Sequence, residues 1–199
     1  MPPSVASRAP DTEHASFAED VAYYLSLTPR QLPSRYLYDE LGSALFETIC
    51  RLPWYRITRT ERAMLQCHAR AILSRTGHIS TFIELGPGGG EKLLTLVSAH
   101  DRDDLNVHLV DVSPAALHMA TRTLAVHPEV AVASHQATYE AGLVEFARRP
   151  RAGGRSMALF LGSNIGNFDP PDAEAFLLAI RAALSPGDWL LLGADLIKP

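Results

Sequence analysis

The sequence predicts an α/β protein, with a mostly parallel sheet covered by helices on both faces and a helical N-terminal segment. Three observations predict it. The 199 residues suit one domain of ordinary size, and 47% hydrophobic with 20% charged residues is typical of a folded globular protein. From about residue 77, short continuous apolar runs alternate with longer stretches of helical character. Such alternation favours a parallel sheet that is buried on both faces.

The composition also excludes several classes of protein. The formal net charge is −4, from 18 Lys+Arg and 22 Asp+Glu, which gives no basic surface for nucleic acid or membranes. The apolar runs are far shorter than the roughly 20 residues of a membrane helix, and the N-terminus has no apolar signal core. The two cysteines form no CxxC pair, which argues against a metal site or disulfide scaffold. We therefore expect a cytoplasmic protein without metal.

The N-terminal third is predicted to be helical after an irregular beginning. Residues 1–16 are rich in Pro, Ser and Ala and predict a flexible tail. Residues 17–76 predict a helical segment that contributes to the substrate and cofactor site. Within it, Thr58 and Glu61 have the spacing of a capping box. This pattern predicts a helix from about Arg59, with the Glu61 carboxylate bonded back to the backbone of that helix.

Residues 77–199 predict the domain that carries the sheet. The apolar runs predict strands at about Ser80–Leu85, Asn106–Val112, Val130–Ser134, Ser156–Leu161 and Trp189–Ala194. The stretches between them predict helices at about Glu91–Ser98, Pro114–His127, Tyr139–Arg149 and Pro171–Leu184. The last strand forms an open apolar edge in this arrangement. We expect another chain, a missing segment or a dimer partner to cover that edge.

A glycine-rich loop follows the first predicted strand, in the run ELGPGGG. Glycine permits a sharp turn and close approach of a ligand, and open α/β sheets bind ligands at the carboxyl ends of their strands. A dinucleotide fingerprint requires glycine at position 91, where Glu91 instead carries a carboxylate that would repel a pyrophosphate. The spacing of Glu84, Gly86, Gly88 and Gly90 resembles motif I of the Rossmann-like methyltransferases, which bind S-adenosylmethionine.

Asp111 supports this interpretation, because it ends the next predicted strand. A carboxylate at that position can accept hydrogen bonds from ribose hydroxyls. S-adenosylmethionine has no phosphate; it carries a sulfonium cation, an amino acid end and an adenosine. The alternative for Asp111 is a purely structural role as the cap of the helix that begins after Ser113.

Four stretches of the chain resemble the histidine-specific S-adenosylmethionine-dependent methyltransferase family, which includes the histidine Nα-methyltransferase of ergothioneine biosynthesis. They are LPSRYLYDELGSALFETICRLPWYRITRTER, ELGPGGGEK, FLGSNIGNFDP and LLLGADLIKP. The resemblance implies a Rossmann-like class I methyltransferase fold with an N-terminal helical cap, acting on the α-amino group of an amino acid, above all L-histidine. It also implies that about the last third of the family's chain, which contributes much of the substrate domain, is missing here.

The resemblance also implies roles for individual residues. Tyr38 would contact the substrate amino acid as a catalytic residue, and Asn167 would position its amino or carboxylate group. Together with the glycine motif, the expected cofactor-binding set is Tyr55, Glu84, Gly86, Gly88, Gly90, Lys92, Asp111, Thr138 and Tyr139. Lys92 is expected to face the cofactor carboxylate. The family commonly has Asp before the aromatic residue at adenine, so Thr138 leaves adenine recognition to Tyr139 or to backbone groups.

The implied chemistry is direct displacement of the sulfonium methyl group by a neutral amine, for which the protein mainly aligns the reactants. Two other functions remain compatible with the sequence. One is a non-catalytic cofactor-binding fragment or subunit that works with a partner chain. The other is a methyltransferase of the same family for another amino acid, such as an indole one.

Overall fold

A computed structural model of the chain describes residues 10–32, 34–37, 39–101, 104–149 and 153–196. Residues 1–9 of the predicted flexible tail therefore lie outside the described residues, as does Tyr38. Contacts between residues divide the chain into two compact units, Met1–Leu37 and Tyr38–Pro199. The division falls earlier than the boundary at residue 76 that the sequence analysis expects, because the later N-terminal helices pack with the sheet.

The first unit contains helix α1 (Pro10–Ser26) and a short 3-10 helix (Ser34–Leu37). Because α1 begins at Pro10, residues 10–16 of the predicted tail are helical in the structure. Proline suits the first turn of a helix, where its missing N–H would have no partner. The rings of Phe17 and Tyr36 pack edge to face, with centroids 4.8 Å apart.

The second unit is a parallel sheet with helices on both faces, which confirms the predicted fold class. Its strands are β1 (Ile79–Leu85), β2 (Asn106–Asp111), β3 (Ala131–Gln136), β4 (Arg155–Phe160) and β5 (Trp189–Leu192). Its helices are α2 (Glu40–Cys50), α3 (Ile57–Thr76), α4 (Glu91–Ser98), α5 (Pro114–Leu124), α6 (Tyr139–Ala147) and α7 (Pro170–Ala183). A 3-10 helix (Asn164–Asn167) follows β4.

The core lies on both faces of the sheet, because successive strand side chains point to opposite sides. Strand β1 is buried along its whole length. Phe82 packs with apolar residues of α3, α4 and α5 on one face, among them Leu65 and Leu96. Ile83 packs on the other face with residues of α6 and α7, among them Phe176. This double burial applies to the central strands β1 and β4, whereas no residue of β3, at the edge of the sheet, is fully buried.

Helix α3 differs from the prediction at its beginning. It begins at Ile57, and the preceding cap residue, Arg56, makes no side-chain hydrogen bond to the helix. The predicted capping box is therefore wrong, because the Glu61 carboxylate bonds to groups outside its own helix, at Gly162 and Lys92.

The sheet has the order β3-β2-β1-β4-β5, so the direction in which strands are added reverses between β1 and β4. Ligands of open α/β sheets bind at such a switch point, outside the carboxyl ends of the strands. The loops after β1 and β4 flank this point. No helix in the described part of the chain combines the length and the apolar character that crossing a bilayer requires.

Candidate functional site

The loop after β1 is shaped by three glycines with positive φ, namely 75° at Gly86, 53° at Gly88 and 82° at Gly90. A Cβ at Gly90 would lie 2.9 Å from the Cα of Ala120, so this glycine lets α4 and α5 pack closely. A Cβ at Gly86 would lie 2.6 Å from the Tyr139 hydroxyl, whereas one at Gly88 would meet no atom within 4 Å. The loop is therefore open at Gly88 and lined by the Tyr139 hydroxyl at Gly86, and we call this part of it the cradle.

Glu84, two residues before the first glycine, is buried with 1% of its surface exposed. Neither of its carboxylate oxygens has a hydrogen-bond partner among the described residues. Burial raises the pKa of Glu84 to about 8, although the nearby Lys92 acts in the opposite direction. Burying a carboxylate without partners is costly, so this arrangement favours a ligand that brings a cation or a hydrogen-bond donor.

Carboxylates dominate the surroundings of Glu84. After burial, the negative charges of Glu61, Glu91 and Asp111 raise its pKa further. The pKa of Glu47 is also raised, first by burial and then by Glu91. These groups produce a negative potential at the carboxyl end of β1, which favours a positively charged ligand.

Lys92 lies in the first turn of α4, and its Nζ is 2.9 Å from Oε2 of Glu61. Both side chains are mostly buried, with exposed fractions of 16% for Lys92 and 15% for Glu61. The Gly162 N–H donates to both Glu61 oxygens, at 2.9 and 2.8 Å. A Cβ at Gly193 would lie 1.8 Å from Oε1 of Glu61, so the carboxylate fills a notch that only glycine leaves open. Glu61 thus links α3, α4 and the chain ends of β4 and β5.

Asp111 ends β2, as the sequence predicts, and its Oδ1 accepts the Ser113 N–H at 2.8 Å. Burial raises the pKa of Asp111. The cap of α5 is Ser113, whose hydroxyl accepts the Ala116 N–H at 3.3 Å, so Asp111 does not serve as the helix cap. The Gly86 N–H donates to the Val110 carbonyl at 2.9 Å, which holds the glycine loop beside the end of β2.

Thr138 and Tyr139 have different tasks in the structure. The Thr138 hydroxyl accepts the Ala141 N–H at 3.3 Å and caps α6. The Tyr139 ring packs against Phe160 and Phe176, with centroids 5.5 and 5.8 Å apart. This aromatic packing fixes the Tyr139 hydroxyl at the glycine loop. Tyr139 therefore lies at the cradle, while the Thr138 side chain caps α6.

The loop after β4 contributes a residue that the sequence analysis did not select. Ser163 has φ 61°, a left-handed conformation that turns the chain sharply into the 3-10 helix. The Asn164 amide nitrogen lies 3.4 Å from the position that a Cβ at Gly86 would take. Asn167, the predicted substrate residue, is exposed at the other end of the same short helix. The sequence could have indicated Asn164, because this residue lies in the same GSNIGN run as Asn167.

Of the two predicted tyrosines of the N-terminal segment, only Tyr55 belongs to the described residues. It precedes α3, and its ring packs edge to face against Phe46 of α2, with centroids 6.2 Å apart. Its backbone N–H donates to the Leu52 carbonyl at 3.1 Å, which closes the turn between α2 and α3.

Comparisons with known proteins identify relatives of this chain. Histidine N-alpha-methyltransferase of Mycobacterium tuberculosis is 37% identical over 192 residues, which cover 94% of this chain and 58% of the relative. The protein of the same name from Mycolicibacterium smegmatis is 35% identical over 193 residues, which cover 96% of this chain and 59% of the relative. The chain therefore spans somewhat less than two thirds of the length of these relatives.

The fold is also found in a solved structure, that of an O-methyltransferase family protein from Burkholderia thailandensis. It has a TM-score of 0.55 and 17% identity, and the likeness covers 92% of this chain and 51% of that one. The family model described as histidine-specific methyltransferase, SAM-dependent, matches residues 17–199. Since this match covers the glycine loop, the buried Glu84 and the loop after β4, the chain belongs to the histidine-specific S-adenosylmethionine-dependent methyltransferase family.

Proposed function

We propose that this chain contains the cofactor-binding part of an N-methyltransferase that transfers a methyl group from S-adenosylmethionine to the α-amino group of L-histidine. The observation that carries the proposal is the buried carboxylate of Glu84, which has no partner in the described residues and lies directly before an open glycine cradle. The surrounding carboxylates suit a ligand with two cationic groups, the sulfonium and the ammonium of this cofactor.

The residues at the site fit the parts of this cofactor. Glu84 suits the ammonium of its amino acid end once that cation has displaced the proton from Glu84, and Lys92 suits the carboxylate, because each then offers the opposite charge. Asp111 suits the ribose hydroxyls as an acceptor. Tyr139 offers a fixed aromatic ring and a hydroxyl at the cradle, where the adenine would need an apolar face. When bound, the cofactor supplies an electrophilic methyl group.

The chain's own residues then have to present the substrate amine. We propose Tyr38 and Asn167 as the groups that hold the substrate amino acid, and Tyr55 as a contact near the cofactor's amino acid end. An α-amino group is largely protonated near neutrality, so it has to lose a proton before it attacks. That proton passes to solvent water, and the Tyr38 hydroxyl assists by hydrogen bonding to the amine, while Asn167 keeps the nitrogen lone pair aligned with the methyl carbon.

Cofactor binding is tested by calorimetry with S-adenosylhomocysteine, the product form of the cofactor. We expect the chain to bind it and Asp111→Asn to weaken binding by about tenfold, because the amide is a weaker acceptor for ribose hydroxyls than a carboxylate. Asp101→Asn, at an exposed position before β2, is the matched control and should bind as the unchanged chain does. Equal affinity of both variants would contradict the assignment of Asp111.

The reaction is tested by mass spectrometry of L-histidine incubated with the chain and S-adenosylmethionine. We expect methyl groups to be added to L-histidine and none to Nα-acetylhistidine, because the acetyl group removes the nucleophilic amine. Methylation of both compounds would instead place the reaction on the imidazole. Binding of the cofactor without any turnover would favour a chain that acts only together with further polypeptide.

We also propose that further polypeptide covers β5. This strand pairs with β4 on one side, and Trp189 and Leu192 are 39% and 38% exposed. An apolar edge of this kind is a template for pairing with another strand. Light scattering distinguishes a second copy from a further segment or a partner chain, since only a second copy doubles the mass of the isolated chain.

We infer a cytoplasmic location for the protein. The inference is supported by its cysteines, since Cys50 and Cys67 are both free thiols. Free thiols are typical of reducing compartments.

A further inference from the structure

The Glu61 carboxylate is held by groups from three different parts of the sheet's carboxyl end. It accepts from the Gly162 N–H after β4 and from Lys92 Nζ in α4, and it fills the notch beside Gly193 after β5. The Glu61 carboxylate does not cap its own helix, because α3 begins without a side-chain cap. The carboxylate is therefore placed where the loops of the candidate site meet.

Stability alone does not account for this pair. Both side chains are largely removed from water, and a mostly buried ion pair gains little over apolar residues of the same volume because both charges lose their hydration. What the pair does provide is a fixed position for the Lys92 ammonium. An ammonium has three N–H donors, and Lys92 Nζ makes one hydrogen bond to Glu61 within the described part of the chain. Lys92 Nζ also lies 3.0 Å from where a Cβ at Gly162 would be.

We propose that Glu61 is a positioning residue that holds Lys92 and the Gly162 loop in place for the carboxylate of the bound cofactor. The inference rests on the proposed function, because it needs a ligand carboxylate at Lys92. Glu61 fixes the ammonium between the ends of β1 and β4, so that its remaining donors are presented to the ligand without a further loss of side-chain freedom. Glu61 itself touches no reacting atom.

The test compares two ligands that differ only at the amino acid end. S-adenosylhomocysteine carries the carboxylate, whereas methylthioadenosine has the same adenosine and sulfur without it. Glu61→Gln keeps an oxygen acceptor for the Gly162 N–H but removes the charge that holds Lys92. We expect its dissociation constant for S-adenosylhomocysteine to rise by about tenfold, while that for methylthioadenosine changes by less than about twofold. A general disturbance of the site would weaken both ligands equally.

Four further variants complete the experiment. Lys92→Met should show the same selective loss, and adding Glu61→Gln to it should cost no further affinity, because the two residues act on one contact. Glu174→Gln, on the exposed side of α7, is the matched control for removing a glutamate charge and should bind both ligands normally. Glu61→Asp keeps the charge but has a shorter reach, and it takes the place of Glu61→Gln should that variant not fold.

The outcomes separate the two proposals. Failure of the unchanged chain to bind S-adenosylhomocysteine refutes the proposed function and the role of Glu61 with it. Binding by the unchanged chain, with equal affinity in the Glu61 variants, refutes the role of Glu61 alone. Parallel weakening of both ligands also refutes it, because it identifies Glu61 as a residue that only supports the fold.

Discussion

At the scale of single residues, three glycines of one loop have different roles, which depend on their neighbours in the structure. Gly86, Gly88 and Gly90 follow one another in one loop and all have positive φ. A side chain at Gly90 would collide with α5, and one at Gly86 would enter the cradle, whereas Gly88 faces open space. The motif therefore combines a packing requirement with a binding requirement.

Alanine substitutions at Gly86 and Gly88 separate the effect of backbone conformation from the effect of steric contact. Gly86→Ala and Gly88→Ala both place an L-residue at positive φ, which costs about 1 kcal/mol of folding free energy each. Only Gly86→Ala brings a methyl group to 2.6 Å from the Tyr139 hydroxyl. We expect Gly86→Ala to weaken S-adenosylhomocysteine binding by at least about tenfold relative to Gly88→Ala, measured by calorimetry. Equal affinities would show that the cradle at Gly86 holds no ligand.

The same scale shows where local sequence patterns fail. Thr58 and Glu61 have the spacing of a capping box, but the partners of the Glu61 carboxylate include the Gly162 N–H, 101 residues away. A local sequence pattern takes account only of hydrogen-bond donors within one turn of the helix. For the Glu61 carboxylate, the Lys92 ammonium and the Gly162 N–H outweigh those local donors. Asp111 and the glycine loop were predictable because their positions depend only on where strands end.

At the scale of elements, close packing can outweigh helix propensity. Gly142 lies within α6, where it faces β2, and a Cβ there would lie 2.4 Å from Cγ1 of Val110. Glycine within a helix costs about 1 kcal/mol relative to alanine, so propensity alone favours alanine. The absent side chain is what lets α6 approach the sheet and bring Tyr139, its first residue, to the glycine loop.

We expect Gly142→Ala to lower the free energy of unfolding by about 2 kcal/mol, because the overpacking against Val110 exceeds the gain in helix propensity. Urea unfolding followed by circular dichroism measures the change. Ala141→Gly, at the exposed neighbouring position, is the control for backbone freedom and should cost about 1 kcal/mol. A more stable Gly142→Ala variant would show that α6 can move away from β2 without loss.

Elements were easier to predict than contacts, for a physical reason. The central strands β1 and β4 are rich in apolar residues because both of their faces are covered. The predicted ends of all five strands agree with the structure to within about two residues. Residues 10–16 were predicted as a tail because Pro, Ser and Ala are common in irregular chains. They are helical in the structure, where Pro10 stands at the first position that tolerates proline.

At the scale of the whole molecule, two ionisable groups oppose each other in the dependence of stability on pH. Burial raises the pKa of Glu84 to about 8 from its ordinary value of 4.5. The pKa of His108 on β2 is lowered to about 4 from 6.5, first by burial and then by Arg149 and His135. His108 Nδ1 lies 3.1 Å from His135 Nε2 and 3.2 Å from Arg149 Nη1, so a proton on Nδ1 would face the donor and the positive charge of Arg149.

The direction of each effect follows from which state binds the proton. Between pH 4.5 and 8 the folded chain holds a proton on Glu84 that the unfolded chain has lost, so stability falls as pH rises through this window. Between pH 6.5 and 4 the unfolded chain binds a proton at His108 that the folded chain refuses, so stability falls as pH decreases. The two effects nearly cancel between pH 4.5 and 6.5, where both apply.

For the chain without ligand we therefore expect a broad plateau of stability between about pH 4.5 and 6.5, with a fall of about 2 kcal/mol from there to pH 8. Urea unfolding at a series of pH values measures this profile. Glu84→Gln removes the alkaline fall and leaves stability rising with pH up to about 6.5, whereas His108→Gln leaves a decline that begins near pH 4.5. An alkaline fall that persists in Glu84→Gln would mean that Glu84 is ionised in the folded chain at neutral pH. The electrostatic case for a cationic ligand would then lose its main support, because an ionised Glu84 must already have found a compensating partner within the protein or from solvent.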